Sequence, residues 1–151
     1  MTESITFRVD HTPVGQPRAR AVNRGKRAGM YHVTKIVNKK KGTSKPHPIV
    51  AFRDECRLAA MRHFQAPFVG PVEVCLLCVF PRTQAEMRAK SPSERLYHTK
   101  TPDGDNVLKA VQDALNRVAY VDDSQVCDVR VSKRIAAKDE TPHVEISVVR
   151  L

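Results

Sequence analysis

Long apolar runs are missing from this chain. The longest, Val74 to Phe80, is far too short to span a bilayer, and Met1 to Asp10 carries no apolar stretch of the signal-peptide kind. The expectation is a soluble, cytoplasmic protein with no membrane partner. Cysteine is scarce too. Cys56, Cys75, Cys78 and Cys127 make no framework of the secreted type. Cys75 and Cys78 form the one C-x-x-C, inside the strand-like VEVCLLCVF, where an offset of three points them to opposite faces. With no second such pair to complete a zinc site, the cysteines read as buried free thiols ahead of a metal or redox role. Six histidines lie scattered without ligand spacing, and no internal repeat is visible.

Acidic residues are absent from His11 to Arg53, while Arg18, Arg20, Arg24, Lys26, Arg27, Lys35, Lys39, Lys40, Lys41, Lys45 and Arg53 all fall there. The whole chain carries a net charge of +10, and outside this segment the basic and acidic residues nearly cancel. All the surplus therefore sits in one N-terminal stretch, the pattern expected of a protein that binds a phosphate backbone. Residues 11–48, with HTPVGQPRAR, a Gly-rich basic run and KKKGTSKPHP, read as basic loops, partly mobile until a polyanion neutralises them.

With 151 residues the chain suits one domain. Ile5 to Val9 alternates as a first strand, and Ile49 to Phe64 has mostly helical spacing. Val72 to Phe80 is apolar throughout, so a central strand covered on both faces is expected. Arg82 to Thr101 is a long connection, expected to carry a short helix near Thr83 to Ala89. Val126 to Ile135 and His143 to Val149 read as a paired antiparallel hairpin. The order β-α-β-α-β-β predicts a single α/β domain, a mixed sheet of about four strands with two main helices packed on it.

The chemistry concentrates in Thr101 to Val126, TPDGDNVLKAVQDALNRVAYVDDSQV. Val107, Leu108, Val111, Ala114, Leu115 and Val118 recur at helical steps and predict a buried face. Asp105 and Lys109 stand one turn apart on the opposite side. Asp103 and Asp105 flank Gly104 at the helix start, and Asp122 and Asp123 fall in the loop beyond its end. Carboxylates gathered together repel unless a cation sits among them, and their hard oxygens suit Mg²⁺ or Mn²⁺. Set in a basic protein with a lysine alongside, such a site suits phosphodiester hydrolysis. Bland readings stay open: Asp103 or Asp105 as an N-cap, Asp122 to Ser124 as a turn, Asp113 as a solvent or packing-network residue, and Lys109 in a simple helical ion pair.

PDGDNVLKAVQDAL followed by YVDDSQV resembles the signature of the RusA family of Holliday junction resolvases, P-D-x-D-N-x-x-K and D-D-x-Q. YHTKTPD and GQPRAR resemble the family as well, including its phage and prophage members. The resemblance implies a Mg²⁺-dependent, homodimeric endonuclease acting on branched DNA in recombination and repair. Residue by residue, it implies catalytic and metal-binding roles for Asp103, Asp105 and Asp123, a catalytic Lys109, and a basic position at Lys133; Lys133 joins Arg18, Arg20, Arg24, Lys26 and Arg27 of the acid-free segment as the expected DNA contacts. The chain departs from the pattern at Thr101, where a lysine often stands, at Gly104, and in its lysine-rich Lys35 to Lys45. Two rival readings remain: a non-enzymatic clamp on nucleic acid, and a restriction-nuclease-like pairing of Asp103 with Asp128.

Overall fold

The computed structural model describes residues 2–24, 27–31 and 33–151, with side-chain surroundings outside 20–32. Its centre is strand β6 (Val72–Phe80), which takes partners on both edges. On one side it pairs antiparallel with β9 (His143–Arg150), which pairs antiparallel with β1 (Ser4–Val9). On the other it pairs parallel with β8 (Val126–Ile135), whose outer edge takes the two-residue strand β7 (Leu96–Tyr97). The sheet thus has five strands in the order β1-β9-β6-β8-β7, one more than the expected four. Beside it stand two helices, α1 (Pro48–His63) and α2 (Gly104–Leu115).

Three expectations about the sheet and the basic segment need correction. First, β8 and β9 are not a hairpin, because β6 lies between them. Parallel pairing needs a crossover, which α2 supplies between β6 and β8. The chain then passes the end of β6, held by the Ala136 amide on the Phe80 carbonyl at 2.8 Å, and returns on the far side. Second, β6 is central, but its second face is covered only near the Phe80 end, where Val79 is buried. Val72, Val74, Leu76, Cys78 and Phe80 are buried with Phe52, Cys56, Val107, Val111 and Leu115 of the helices. Glu73, Cys75 and Leu77 point the other way and are half-exposed; Cys75 and Leu77 line a shallow cavity of about 280 Å³ with Arg130 and Ser147. The apolar run misleads because its residues on the second face are cysteine and leucine as well. Third, the basic segment contains two hairpins. One pairs β2 (Arg20–Arg24) with β3 (Arg27–Tyr31), the other β4 (Lys35–Asn38) with β5 (Thr43–Pro46).

The helices begin and end for identifiable reasons. His47 caps α1, its ring Nδ1 accepting from the Ile49 amide at 3.1 Å, and Pro48 at the first helical position has no amide to satisfy. Ile49, Phe52, Cys56 and Ala60 form its buried stripe. At the end of α2, Arg57 of α1 donates to the carbonyls of Ala114 and Asn116, supplying the cation that helix C-termini favour.

The long connection 82–101 holds turns where a short helix was expected. It is ordered by arginine. Arg82 donates to the carbonyls of Ala136 (2.6 Å), Glu86 (2.7 Å) and Glu94. Arg95 pairs with Glu140, whose carboxyl is pulled down to about 2, chiefly by that bond. The Lys138 amide donates to the Ser93 carbonyl at 2.9 Å. Hydrogen bonds to a charged group contribute about 1.5–3 kcal/mol each. Arg82→Ala should therefore speed hydrogen exchange across residues 83–95 by at least about tenfold, while β6 amides keep their protection. Unchanged exchange in the loop would show that Arg82 does not hold it.

Candidate active site

Helix α2 lies closely on β8 because residue 104 has no side chain. A Cβ there would meet Val131 Cγ1 at 3.3 Å and Lys133 Cδ at 3.8 Å. Just before it, the ammonium of Lys133 donates to the carbonyls of Lys100 (2.6 Å) and Pro102 (2.7 Å). That ammonium also lies 6.0 Å over the Phe80 ring, which stacks on His98. Burial, then the Lys133 charge, lowers the pKa of His98 and favours the neutral ring. So the turn that delivers Asp103 is gripped from below by β8.

From above it is gripped by the N-terminal loop. The Gln16 amide donates to the Asn106 carbonyl at 2.9 Å. A Cβ on Gly15 would fall 2.7 Å from Pro102 Cβ and 3.3 Å from Asn106 Cβ, so the approach requires glycine. This contact brings the exposed Arg18 to the same end of α2. Sequence reasoning missed Gly15 and Gln16, and the GQPRAR motif was the signal that could have found them.

Asp103 occupies the N-cap of α2, but its carboxylate makes no capping hydrogen bond. Asp105 lies in the first turn, where the helix dipole favours an anion. Both are exposed, and among the described residues neither has an ion-pair partner. Their oxygens are therefore not committed to holding the helix.

The third predicted acid returns to the helix by way of a short loop. Arg117 takes a positive φ of 64°, and its amide donates to the Tyr120 carbonyl. The buried Tyr120 hydroxyl donates to the Gln112 carbonyl at 3.1 Å, pinning the loop under α2. Burial raises the Tyr120 pKa, helped by the charges of Asp123 and Asp113. Asp122, Asp123, Ser124 and Gln125 then form a 3-10 turn. Gln125 accepts from the Asp122 amide at 2.9 Å and donates to the carbonyls of Phe68 and Gly70. Ser124 donates to Asp122, and this bond does most to lower the Asp122 pKa. Asp122 is thereby occupied, and Asp123 is the acid turned towards the helix.

There it meets Lys109. The ammonium lies 2.9 Å from Asp113 Oδ1 and 3.5 Å from Asp123 Oδ2. The bond to Asp113 is the main cause of a raised Lys109 pKa, against partial burial, with the charges of Asp113 and Asp123 adding to it. Lys109 is thus firmly cationic, one turn from Asp105. Asp113, read as a solvent or packing residue, is its nearest partner; only the four-residue spacing signalled this. Among the described residues no three acidic, histidine or cysteine side chains stand close enough together to hold one metal ion. The donor chemistry nonetheless fits a hard divalent cation: Asp103 and Asp105 are uncommitted oxygen donors, and Mg²⁺ typically takes one or two carboxylates plus waters and substrate phosphate. Asp128 stands in register with Glu73 on the sheet face away from α2, apart from this cluster.

The remaining basic positions are spread out. Arg20, Arg24 and Arg27 belong to β2 and β3, and Lys26 lies outside the described residues. Lys133, implied as a DNA contact, is turned inward on two carbonyls.

Residues 10–149 match the family model described as Endodeoxyribonuclease RusA. The chain belongs to the RusA endodeoxyribonuclease family. The RusA match makes it a DNA endonuclease of the Holliday-junction-resolving kind, from a family of metal-dependent nucleases. The chain is also similar to a Bacillus subtilis (strain 168) protein described as "Uncharacterized protein YqaN", at 32% identity over 97% of this chain and 96% of that protein. No helix among the described residues is long and apolar enough to cross a membrane.

Gly15→Ala forces apart the loop and the Pro102 turn, and overpacking of this kind costs about 1–3 kcal/mol. Urea unfolding should register that loss, and nicking by the variant should slow. A variant with wild-type stability and activity would contradict the close contact.

Proposed function

We propose that this RusA-family nuclease is Mg²⁺-dependent, with Mn²⁺ able to substitute, and that it acts as a homodimer introducing paired nicks in four-way DNA junctions. In this reading Asp103, Asp105 and Asp123, which stand too far apart here to form a three-ligand cluster, draw together on the cation as it binds, and Lys109 is catalytic. The observation that carries it is the Lys109 ammonium, tied to Asp123 across the return loop while standing one turn from Asp105. The lysine of the first motif thereby touches an acid of the second.

A bound divalent cation supplies polarisation of the phosphoryl oxygen and a more acidic water. The protein's own groups do the rest. Asp103 and Asp105 project from the start of α2, where carboxylates and helix amides face the same solvent. Asp113 keeps Lys109 charged and limits its rotation, so that the ammonium offers a fixed positive charge to the scissile phosphate as negative charge develops. Arg18, Arg20, Arg24, Lys26 and Arg27 provide the non-specific hold on DNA, whose strength falls with salt. Lys133 acts indirectly, seating the Pro102 turn beneath Asp103. Twofold symmetry suits two symmetric nicks.

The test is a gel assay of a four-way junction against linear duplex, with Mg²⁺ and with EDTA. Cleavage should require Mg²⁺ and favour the junction. Asp105→Asn and Asp123→Asn should bind the junction without cutting it, and Lys109→Ala should lose about 10²–10³-fold in turnover at saturating DNA. Cutting retained by either asparagine variant removes the assignment.

A further inference from the structure

The β4–β5 hairpin pairs with no other strand among the described residues, and every side chain from Lys35 to Pro46 is exposed. Its shape is nevertheless defined. Asn38 Oδ1 accepts from the amides of Lys40 (3.2 Å) and Lys41 (3.3 Å), and Gly42 closes the turn at φ 62°. At its base the His47 amide donates to the Thr34 carbonyl at 2.9 Å, and His47 also caps α1, whose Ile49 and Phe52 are buried in the core. The ribbon is therefore mounted on a rigid helix.

Its composition is unusual for a solvated hairpin. Lys39, Lys40 and Lys41 crowd the tip, Lys35 and Lys45 flank it, and no acid lies in the segment. Between the lysines stand Ile36, 40% exposed, and Val37, 61% exposed. The register places Lys35 and Val37 on one face, Ile36 and Lys45 on the other, so each face offers one cation and one apolar group. Like charges this close destabilise an isolated two-stranded ribbon, which is marginal alone. Between the ribbon and Pro17–Ala19 runs a groove of about 780 Å³, lined by Arg18, Lys35 and Lys39 among others.

We propose that the β4–β5 ribbon enters the major groove of a B-form duplex arm. Its tip lysines contact phosphates on either side, the apolar group of the face turned inward, Ile36 or Val37, presses on base edges such as thymine methyls, and one phosphate strand runs through the cavity between the ribbon and Arg18. The major groove of B-DNA admits a two-stranded ribbon, whereas the deep, narrow major groove of A-form RNA does not. This rests on the reading of the substrate as branched DNA and adds a grip on its arms distinct from the cutting site.

Guanine N7 in the major groove is attacked by dimethyl sulfate, so footprinting of the wild-type protein on an uncut linear DNA duplex should show N7 protection. Binding to A-form RNA duplex should be markedly weaker. Replacing Lys39, Lys40, Lys41 and Lys45 together by Gln should abolish that protection and reduce the slope of log affinity against log salt by up to about 0.9 for each phosphate no longer neutralised. Ile36→Ser with Val37→Ser should weaken binding with no change in slope. The proposal is overturned if the wild type leaves N7 reactive, or if the glutamine variant keeps the wild-type slope. Failure to cut junctions would instead count against the proposed function, and would leave N7 protection intact.

Discussion

One ammonium group connects the two halves of the site. Lys109 projects from the middle of α2 and bonds an acid of its own helix, Asp113, together with Asp123 from the turn beyond it. Without that pair, the 3-10 turn at Asp123–Gln125 would be joined to α2 only through the loop beneath it. Asp113 and Asp123 are partly exposed, so the energy of the interaction is modest. Its importance is geometric: it fixes where a positive charge stands relative to the acids at the helix start.

The rest of the fold serves that placement. Gly104 lets α2 lie on β8, Lys133 hooks the carbonyls of Lys100 and Pro102, and Gly15 allows the N-terminal loop to press on the same turn. On the other side, Tyr120 and Gln125 bind the return loop to α2 and to the 68–70 segment. Two short stretches distant along the sheet are thereby brought to one helix. The more open face of the sheet, with Cys75, Arg130 and Ser147, lies opposite.

Much of this was legible in the chain because it is local. The apolar spacing of Val107, Val111, Ala114 and Leu115 fixed the buried face of α2, and Val72 to Phe80 matched β6 residue for residue. What escaped was non-local or exposed. Strand order was misread because the short 136–142 link suggests a hairpin, while the parallel pairing set by α2 separates β8 from β9. The lysine-rich hairpin was read as loop because none of its residues is buried, leaving no hydrophobic pattern to betray it. Arg82 and Lys133 act through backbone carbonyls, which carry no sequence signature.

The central claim is that the acids before and after α2 serve one cation beside Lys109. Substoichiometric Mn²⁺ broadens amide resonances close to where it binds, so a heteronuclear NMR titration of the intact protein reads this directly. Amides of residues 103–106 and 122–124 should broaden together, at one common Mn²⁺ concentration, and Asp105→Asn should weaken both effects. Broadening confined to one of the two segments would contradict a shared site.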